Sequence, residues 1–351
     1  MSSLVRRWLL VLSMALMLPA AARAAPPPAD ALGRIRFVVL GHIRGDLDQL
    51  HPHLGELIEE VRRLQPNLVL LAGDIIWGDH AHVPRRPDKV LAEWLAVDSA
   101  LGTLGVPVIR APGNHDINDP VTRDIYFQRY GRPPAVWRFH GVRFIALNSA
   151  WTPASGDTAH NRFIRGVPID SAQLAFLEAE LARPDPAPVF VFMHHLLWWA
   201  PDSAAWWREV HPLLRQAKVR AVFTGDWGPM KFSHDRRDGV DYFQNALGGR
   251  PSMEMLWSGE SNRSLAAQFD NFLLVDVRGP EVTYRVMTVG GLTSGDFTPA
   301  RWRRIYRERP PPPLLERVRN QFNSPARLAL LAVVGAGSGV AGYLVGRRRR
   351  N

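Results

Sequence analysis

Cysteine is absent from all 351 residues. That excludes disulfides, and it excludes thiolate ligands, so any metal site here is built from oxygen and nitrogen donors. Lysine is scarce beside arginine, which says more about genome composition than about function. Excess positive charge is also missing from the body of the chain, although the formal net charge is +10. Residues 1–25 carry three Arg and no acid, and residues 301–351 carry twelve Arg and two Glu. Residues 26–300 therefore hold a balance of −3. The basic charge sits at the two ends, where anionic lipid attracts it, so no nucleic-acid partner is expected. Internal repeats are absent too.

The two ends read as membrane traffic. Arg6 and Arg7, an apolar stretch over 8–18 and the small-x-small triplet Ala22-Arg23-Ala24 predict a signal peptide over 1–24. The paired Arg is compatible with twin-arginine export. Residues 328–346 contain no charge and are followed by Arg347 to Arg350. About 20 apolar residues span a bilayer as a helix. A transmembrane helix is expected over 327–347, with residues 348–351 as a basic cytoplasmic tail under the positive-inside rule. A Pro/Arg-rich spacer over 301–326 contains Pro310 to Pro313, which stiffens it. The protein is expected to be exported and anchored to the inner membrane, its domain facing the periplasm or cell exterior.

Between these ends lies one domain, over 33–300. Strands are expected over 35–40, 68–72 and 106–110, alternating with helices over 50–64 and 90–104. Strand–helix alternation implies a parallel sheet. Paired strands follow over 136–140 and 142–148. Helices are expected over 171–181 and 205–216, and strands over 189–193 and 219–223. An antiparallel set over 240–245, 272–277 and 282–287 closes the domain. The expected class is α/β: a four-layer αββα sandwich of two mixed sheets flanked by helices.

Polar groups gather where the strands end. Residues 68–72 lead into Gly73-Asp74, 106–110 into Gly113-Asn114-His115-Asp116, and 189–193 into His194-His195. In open α/β sheets that edge is where ligands bind. An Asn beside a His at a strand end can ligate a metal and hold a proton donor next to it.

The segments VVLGHIRGD, LLAGDIIWGD, APGNHD, VFMHH and VFTGDWG stand in an order that resembles the calcineurin-like metallophosphoesterases. GVRFIALNS and SAQLAFLEAEL look like that family's connecting segments, and the likeness covers almost all of 35–290. The resemblance implies hydrolysis of a phosphomonoester or phosphodiester by metal-activated water. It implies Asp74 as the bridging carboxylate, Asn114 as an amide ligand, His115 as proton donor beside the metal, and His194 rather than His195 as an imidazole ligand. The implied substrate is a phosphorylated small molecule, lipid or glycan.

The chain departs from the family pattern at two motifs. The Asp-x-His slot reads His42-Ile43-Arg44, and the Gly-His-x-His slot reads Gly225-Asp226-Trp227-Gly228. Asp226 can replace a His as ligand, so Asp74, Asn114, His194 and Asp226 form one complete donor set. The other set would be His42, Arg44, Asp74 and Gly228. Arg stays protonated and has no acceptor, so it cannot ligate. The expectation is a single divalent ion, Mn, Fe or Zn, with the Arg44 guanidinium in the place of the second and Arg44 and His42 gripping phosphate. The rival expectation is a metal-free binding or scaffold protein, in which Arg44 and a protonated His42 pair with Asp74 and Asp226.

Lesser candidates surround this set. Trp198, Trp199, Trp206 and Trp207 could wall the site or simply pack. His80, His82 and His234 could replace a lost ligand, and Asp79 reads as a loop cap. His51 and His53 are expected at a helix start, facing solvent. Loop 152–166, with Asp157 and His160, is long enough to border a substrate.

Overall fold

The structure, a computed structural model, describes residues 33–45, 50–82, 84–117, 119–153, 167–199, 203–226, 231–247, 265–267 and 270–289. The chain divides into two units, 1–299 and 300–351, and every described residue lies in the first. The segments expected as signal peptide, spacer, membrane helix and basic tail fall outside the described residues, as do Gly228, Asp157 and His160. Among those described, no helix is long and apolar enough to cross a membrane.

Two sheets form the centre. Strands β1 (Ile35–Leu40), β2 (Leu68–Ala72) and β3 (Val108–Ala111) run parallel. Helices α1 (Leu54–Leu64) and α2 (Pro87–Gly102) connect them. The chain continues through α3 (Asn114–Ile117), α4 (Pro120–Tyr130), β4 (Ala135–Phe139), β5 (Val142–Ala146), α5 (Ser171–Leu181) and β6 (Val189–Phe192). A π-helical turn, Trp206–Val210, leads into α6 (His211–Gln216) and β7 (Ala221–Thr224). The last strands are β8 (Phe232–Arg237), β9 (Val240–Asn245), β10 (Leu265–Ala267), β11 (Asn271–Arg278) and β12 (Glu281–Thr288). One sheet has the order β12-β11-β1-β2-β3 and the other β10-β8-β9-β7-β6-β5-β4.

Alternation of side chains explains the layering. Phe37 of β1 points inward and meets Phe144, Phe190 and Phe223 of the other sheet, with ring centroids 5.0, 5.1 and 6.1 Å apart. Val38 and Leu40 point the other way, into a cluster with Leu57 of α1 and Trp94 of α2. On the second sheet Val189, Val191 and Val222 pack outward against Leu177 of α5 and Leu214 of α6. Both sheets are mixed: the pairs β1–β11 and β11–β12 are antiparallel on the first, and β4–β5, β8–β9 and β8–β10 on the second. The two mixed sheets with flanking helices match the expected architecture.

Local departures have local causes. Helix α1 begins at Leu54 rather than residue 50, because Leu50 is spent on an antiparallel bridge to Arg44. His51 is buried rather than solvent-facing, and its Nδ1 accepts from the His53 N–H at 3.1 Å. Helix α4 is an addition to the expected set. Asp119 caps it by accepting from the N–H groups of Val121 and Thr122, and Pro120 takes the first turn.

Candidate active site

The carboxyl ends of β1, β2, β3, β6 and β7 converge because their loops are laced backbone to backbone. The His42 N–H donates to Gly73 O at 3.1 Å, and the Arg44 N–H to Asp74 O at 3.0 Å. The N–H groups of Gly225 and Asp226 both donate to His194 O, at 3.1 and 3.0 Å. Glycine makes the closeness sterically feasible: a Cβ at Gly225 would lie 2.7 Å from the Gly41 Cα. Asp116 ties the third loop in. Its Oδ1 accepts from the Ile75 and Ile76 N–H groups at 3.0 and 3.2 Å, and its Oδ2 from Gly113 at 2.7 Å. Burial, with Asp74 nearby, pushes the Asp116 carboxyl up to about 7.

Asp74 stands at the centre, and its two oxygens face different company. Oδ2 lies 3.2 Å from His42 Nδ1 and 3.5 Å from Arg44 Nε. Oδ1 accepts the His115 backbone N–H at 3.0 Å and lies 3.3 Å from His194 Nε2. Asp226 Oδ1 approaches the same His194 nitrogen at 3.6 Å. Asn114 is buried at the start of α3, between Gly113 and His115. The structure therefore brings His42, Arg44, Asp74, His115, His194 and Asp226 to one place. His195 is turned elsewhere: its ring pairs with Ser149 Oγ at 3.1 Å, and its backbone N–H donates to the same oxygen at 2.9 Å.

Electrostatics follow from this layout. Burial alone would raise Asp74, but His194, His115 and His42 outweigh it and hold the carboxyl well below the usual carboxylate range. Burial would likewise strip His194 of charge, yet Asp74 and Asp226 together keep its pKa above the ordinary value. Burial dominates at His42, which falls to about 4, and at His115, which falls to about 3 with Arg44 contributing. Both are neutral near pH 7. The His115 Nδ1–H donates to Trp77 O at 2.9 Å.

The two faces of Asp74 differ in what they can hold. On the Oδ1 face, His194 donates Nδ1–H to Ala72 O at 3.0 Å, so Nε2 is the nitrogen a metal would take, in exchange for the proton that the two carboxylates favour there. That nitrogen is buried, makes no hydrogen bond and faces two carboxylates. Ligands about 2.1 Å from a tetrahedral metal lie roughly 3.4 Å from one another. The observed 3.3 and 3.6 Å bracket that spacing. Among the described residues no group of three or more His, Asp or Glu is placed to hold a metal ion, so the fit is one of donor type and pairwise spacing alone. On the Oδ2 face the neighbours are the His42 imidazole and the Arg44 guanidinium, and a guanidinium has no lone pair to give a metal.

Arg44 is held in that position. Its guanidinium lies over the Trp77 ring, 4.7 Å from the centroid, and its Nη1 donates to Gly45 O at 3.1 Å. Trp77 also packs against His115, with centroids 5.0 Å apart, and His80 lies over His115 at 4.6 Å. His82 pairs with Asp79 at 2.7 Å, and His234 with Asp241 at 3.0 Å. Asp79 does cap its loop, accepting from the Arg86 N–H at 2.8 Å. Trp198 and Trp206 pack on Tyr242 in the core. Asp116 and Trp77 are neighbours without an expected role in the sequence, whereas His80, a candidate ligand there, packs against His115. For Asp116 the signal was its place directly after Asn114-His115.

A two-sheet frame that gathers an Asp, an Asn-His pair and a buried His at its strand ends is that of a metallophosphoesterase. The family model for calcineurin-like phosphoesterases matches residues 35–229, more than half of the chain, and the chain belongs to that family. No curated protein sequence matches it. Among solved structures it is similar to the purple acid phosphatase PPD1 from seeds of yellow lupin (Lupinus luteus). That match has a TM-score of 0.56 and 12% identity, covering 78% of this chain and 54% of that one. The chain thus spans about half the length of the lupin enzyme. A dimetal phosphatase from Danio rerio matches with a TM-score of 0.51 and 15% identity, over 74% of this chain and 98% of that one. GAP50, the anchor in the inner membrane complex of Plasmodium, matches with 0.54 and 10%, over 76% and 89%. At these identities the likeness is one of fold.

Proposed function

We propose that this protein is an exported, membrane-anchored phosphoesterase working with one divalent ion, of Mn, Fe or Zn, in place of two. Asp74, Asn114, His194 and Asp226 would hold it. When bound, such an ion lowers the pKa of a coordinated water and offsets charge on phosphorus-bound oxygen. The observation that carries the reading is the division of labour at Asp74: one oxygen turned to an unbonded imidazole nitrogen, the other to a guanidinium.

The chain's own residues then have separable tasks. Arg44 presents a fixed positive fork to phosphate, at the expense of neither proton nor ligand. His42, neutral near pH 7 without phosphate, sets its Nδ1 3.2 Å from Asp74 Oδ2, and a bound phosphate would favour its protonation beside Arg44. His115 keeps Nδ1–H on the Trp77 carbonyl, so Nε2 is the atom that exchanges a proton with the leaving oxygen. A phosphate's negative charge beside His115 opposes the burial that depresses it, which readies it as an acid. Water attacks phosphorus, the P–O ester bond breaks, and the alcohol leaves with a proton.

The test is hydrolysis of p-nitrophenyl phosphate by the purified full-length chain. Metal-dependent turnover that falls at least a hundredfold in Asn114→Ala supports the reading. A well-folded chain that is inert with every divalent ion refutes it, and supports the scaffold role that the fold also carries in an anchor such as GAP50.

A further inference from the structure

A cavity of about 190 Å³ opens beside the active site. Its walls are Leu50, Ile75, Ile76 and Trp77 on one side and Ala92 and Ala96 of α2 on the other. Three of its lining residues are continuous with the site. Ile75 and Ile76 directly follow Asp74 and are fixed by Asp116. Trp77 carries Arg44 on its ring and His115 against it. Trp77 is thus the partition between the groups that meet phosphate and an aliphatic groove.

We propose that this groove takes the alcohol portion of the substrate, and that the substrate is a phosphate ester of an apolar alkyl chain. The inference rests on the phosphoesterase reading. An engineered apolar cavity of roughly 150 Å³ accommodates benzene, so the volume admits a chain of several methylenes. The apolar part of the lining, which is the larger, is aliphatic apart from one indole, and Lys89 and Glu93 are its charged members; the apolar part suits an alkyl chain better than a ring or a sugar. Sugar hydroxyls would find little to bond with: the Glu93 carboxylate, which reaches the groove, is engaged by the Gly78 and Asp79 N–H groups at 2.8 and 3.0 Å, which leaves Lys89 as the other charged group of the lining. Lys89 also lines the groove and is exposed. Leu91 and Leu95, 38% and 60% exposed, neighbour Ala92 and Ala96 along α2 and extend the apolar surface beyond the cavity.

A methylene removed from water is worth roughly fourfold in affinity, and an open groove realises part of that. The experiment compares hexyl phosphate, phenyl phosphate, glycerol phosphate and methyl phosphate as substrates of the full-length chain. It also compares hexylphosphonate with methylphosphonate as ligands by calorimetry. The expected result is a preference for hexyl over methyl phosphate in kcat/KM on the order of tenfold or more, with glycerol phosphate no better than methyl. The hexyl-to-methyl ratio should drop about tenfold in Ala96→Trp, which fills the groove, with a thermal melt confirming that the variant folds. Equal handling of hexyl and methyl compounds by the wild type overturns the proposal, as does a preference confined to phenyl phosphate or a ratio unmoved in folded Ala96→Trp. If no ester is cleaved but hexylphosphonate still binds at least tenfold tighter than methylphosphonate, the groove stands and the hydrolase reading falls.

Discussion

Gly73→Ala tests how tightly the site is built. Gly73 has a φ of +83°, and a Cβ there would lie 2.6 Å from His194 Nδ1, 2.8 Å from His194 Cβ and 2.8 Å from the Gly113 nitrogen. Two costs add. A left-handed L-residue costs roughly 1–2 kcal/mol, and crowding a packed site roughly 1–3 kcal/mol. The expected loss is about 2–5 kcal/mol. To reach an ordinary contact of about 3.5 Å, His194 and its neighbours must retreat by the better part of an ångström, which also strains the Nδ1–H bond to Ala72 O. Gly105 supplies the control: its φ is +66°, but a Cβ there would meet nothing within 4 Å. Gly105→Ala should carry the backbone strain alone, about 1–2 kcal/mol. Urea melts of the two variants, followed by circular dichroism on metal-stripped chain, isolate the crowding as the difference. Cation affinity should fall at least tenfold in Gly73→Ala and stay at the wild-type value in Gly105→Ala. If the two variants lose equal stability and both bind cation like the wild type, the close approach of these loops is wrong.

Two further predictions follow from the same geometry. The Asp79 carboxylate is fully buried and is lowered to about 2, chiefly by the Arg86 side chain. A lowered pKa stabilises above the unfolded value and loses that contribution as pH falls. Asp79→Asn should therefore cost about 1–2 kcal/mol at pH 7, after discounting for the exposed Arg86. The gap to wild type should close between about pH 4 and pH 2; a gap constant with pH in acid titrations of stability would contradict this. His115→Gln should lower kcat by roughly 10² or more with KM little changed. The loss should be smaller for nitrophenyl phosphate, whose leaving group needs little protonation, than for an alkyl phosphate; equal losses would remove His115 from proton transfer.

Much of this was legible in the sequence, for identifiable reasons. Buried strands such as Leu68–Ala72 are apolar at every position and declare themselves. Asp74 and His194 follow such strands closely, and Asn114 follows β3, so naming the strand ends nearly named the site. Helix α4 was hidden because it buries only Thr122 and Tyr126 along its length, giving little apolar periodicity, although Asp119-Pro120 was a capping signal. Strand β8 was hidden because Phe232 and Ser233 are its buried residues and the rest is polar. Burial of His51 depended on the bridge between Leu50 and Arg44, a tertiary contact without a local pattern. The neutrality of His42 and His115 is likewise set by burial, which no motif records.

Metal stoichiometry is the most direct test of the central claim. The purified full-length chain, dialysed against Mn, Fe or Zn and analysed by plasma mass spectrometry, should hold about one equivalent. Arg44→His, which puts a ligand where the guanidinium stands beside Asp74 Oδ2, should raise the content toward two. Two equivalents in the wild type, none at all, or a count unmoved in Arg44→His would contradict a single ion with a guanidinium as its neighbour.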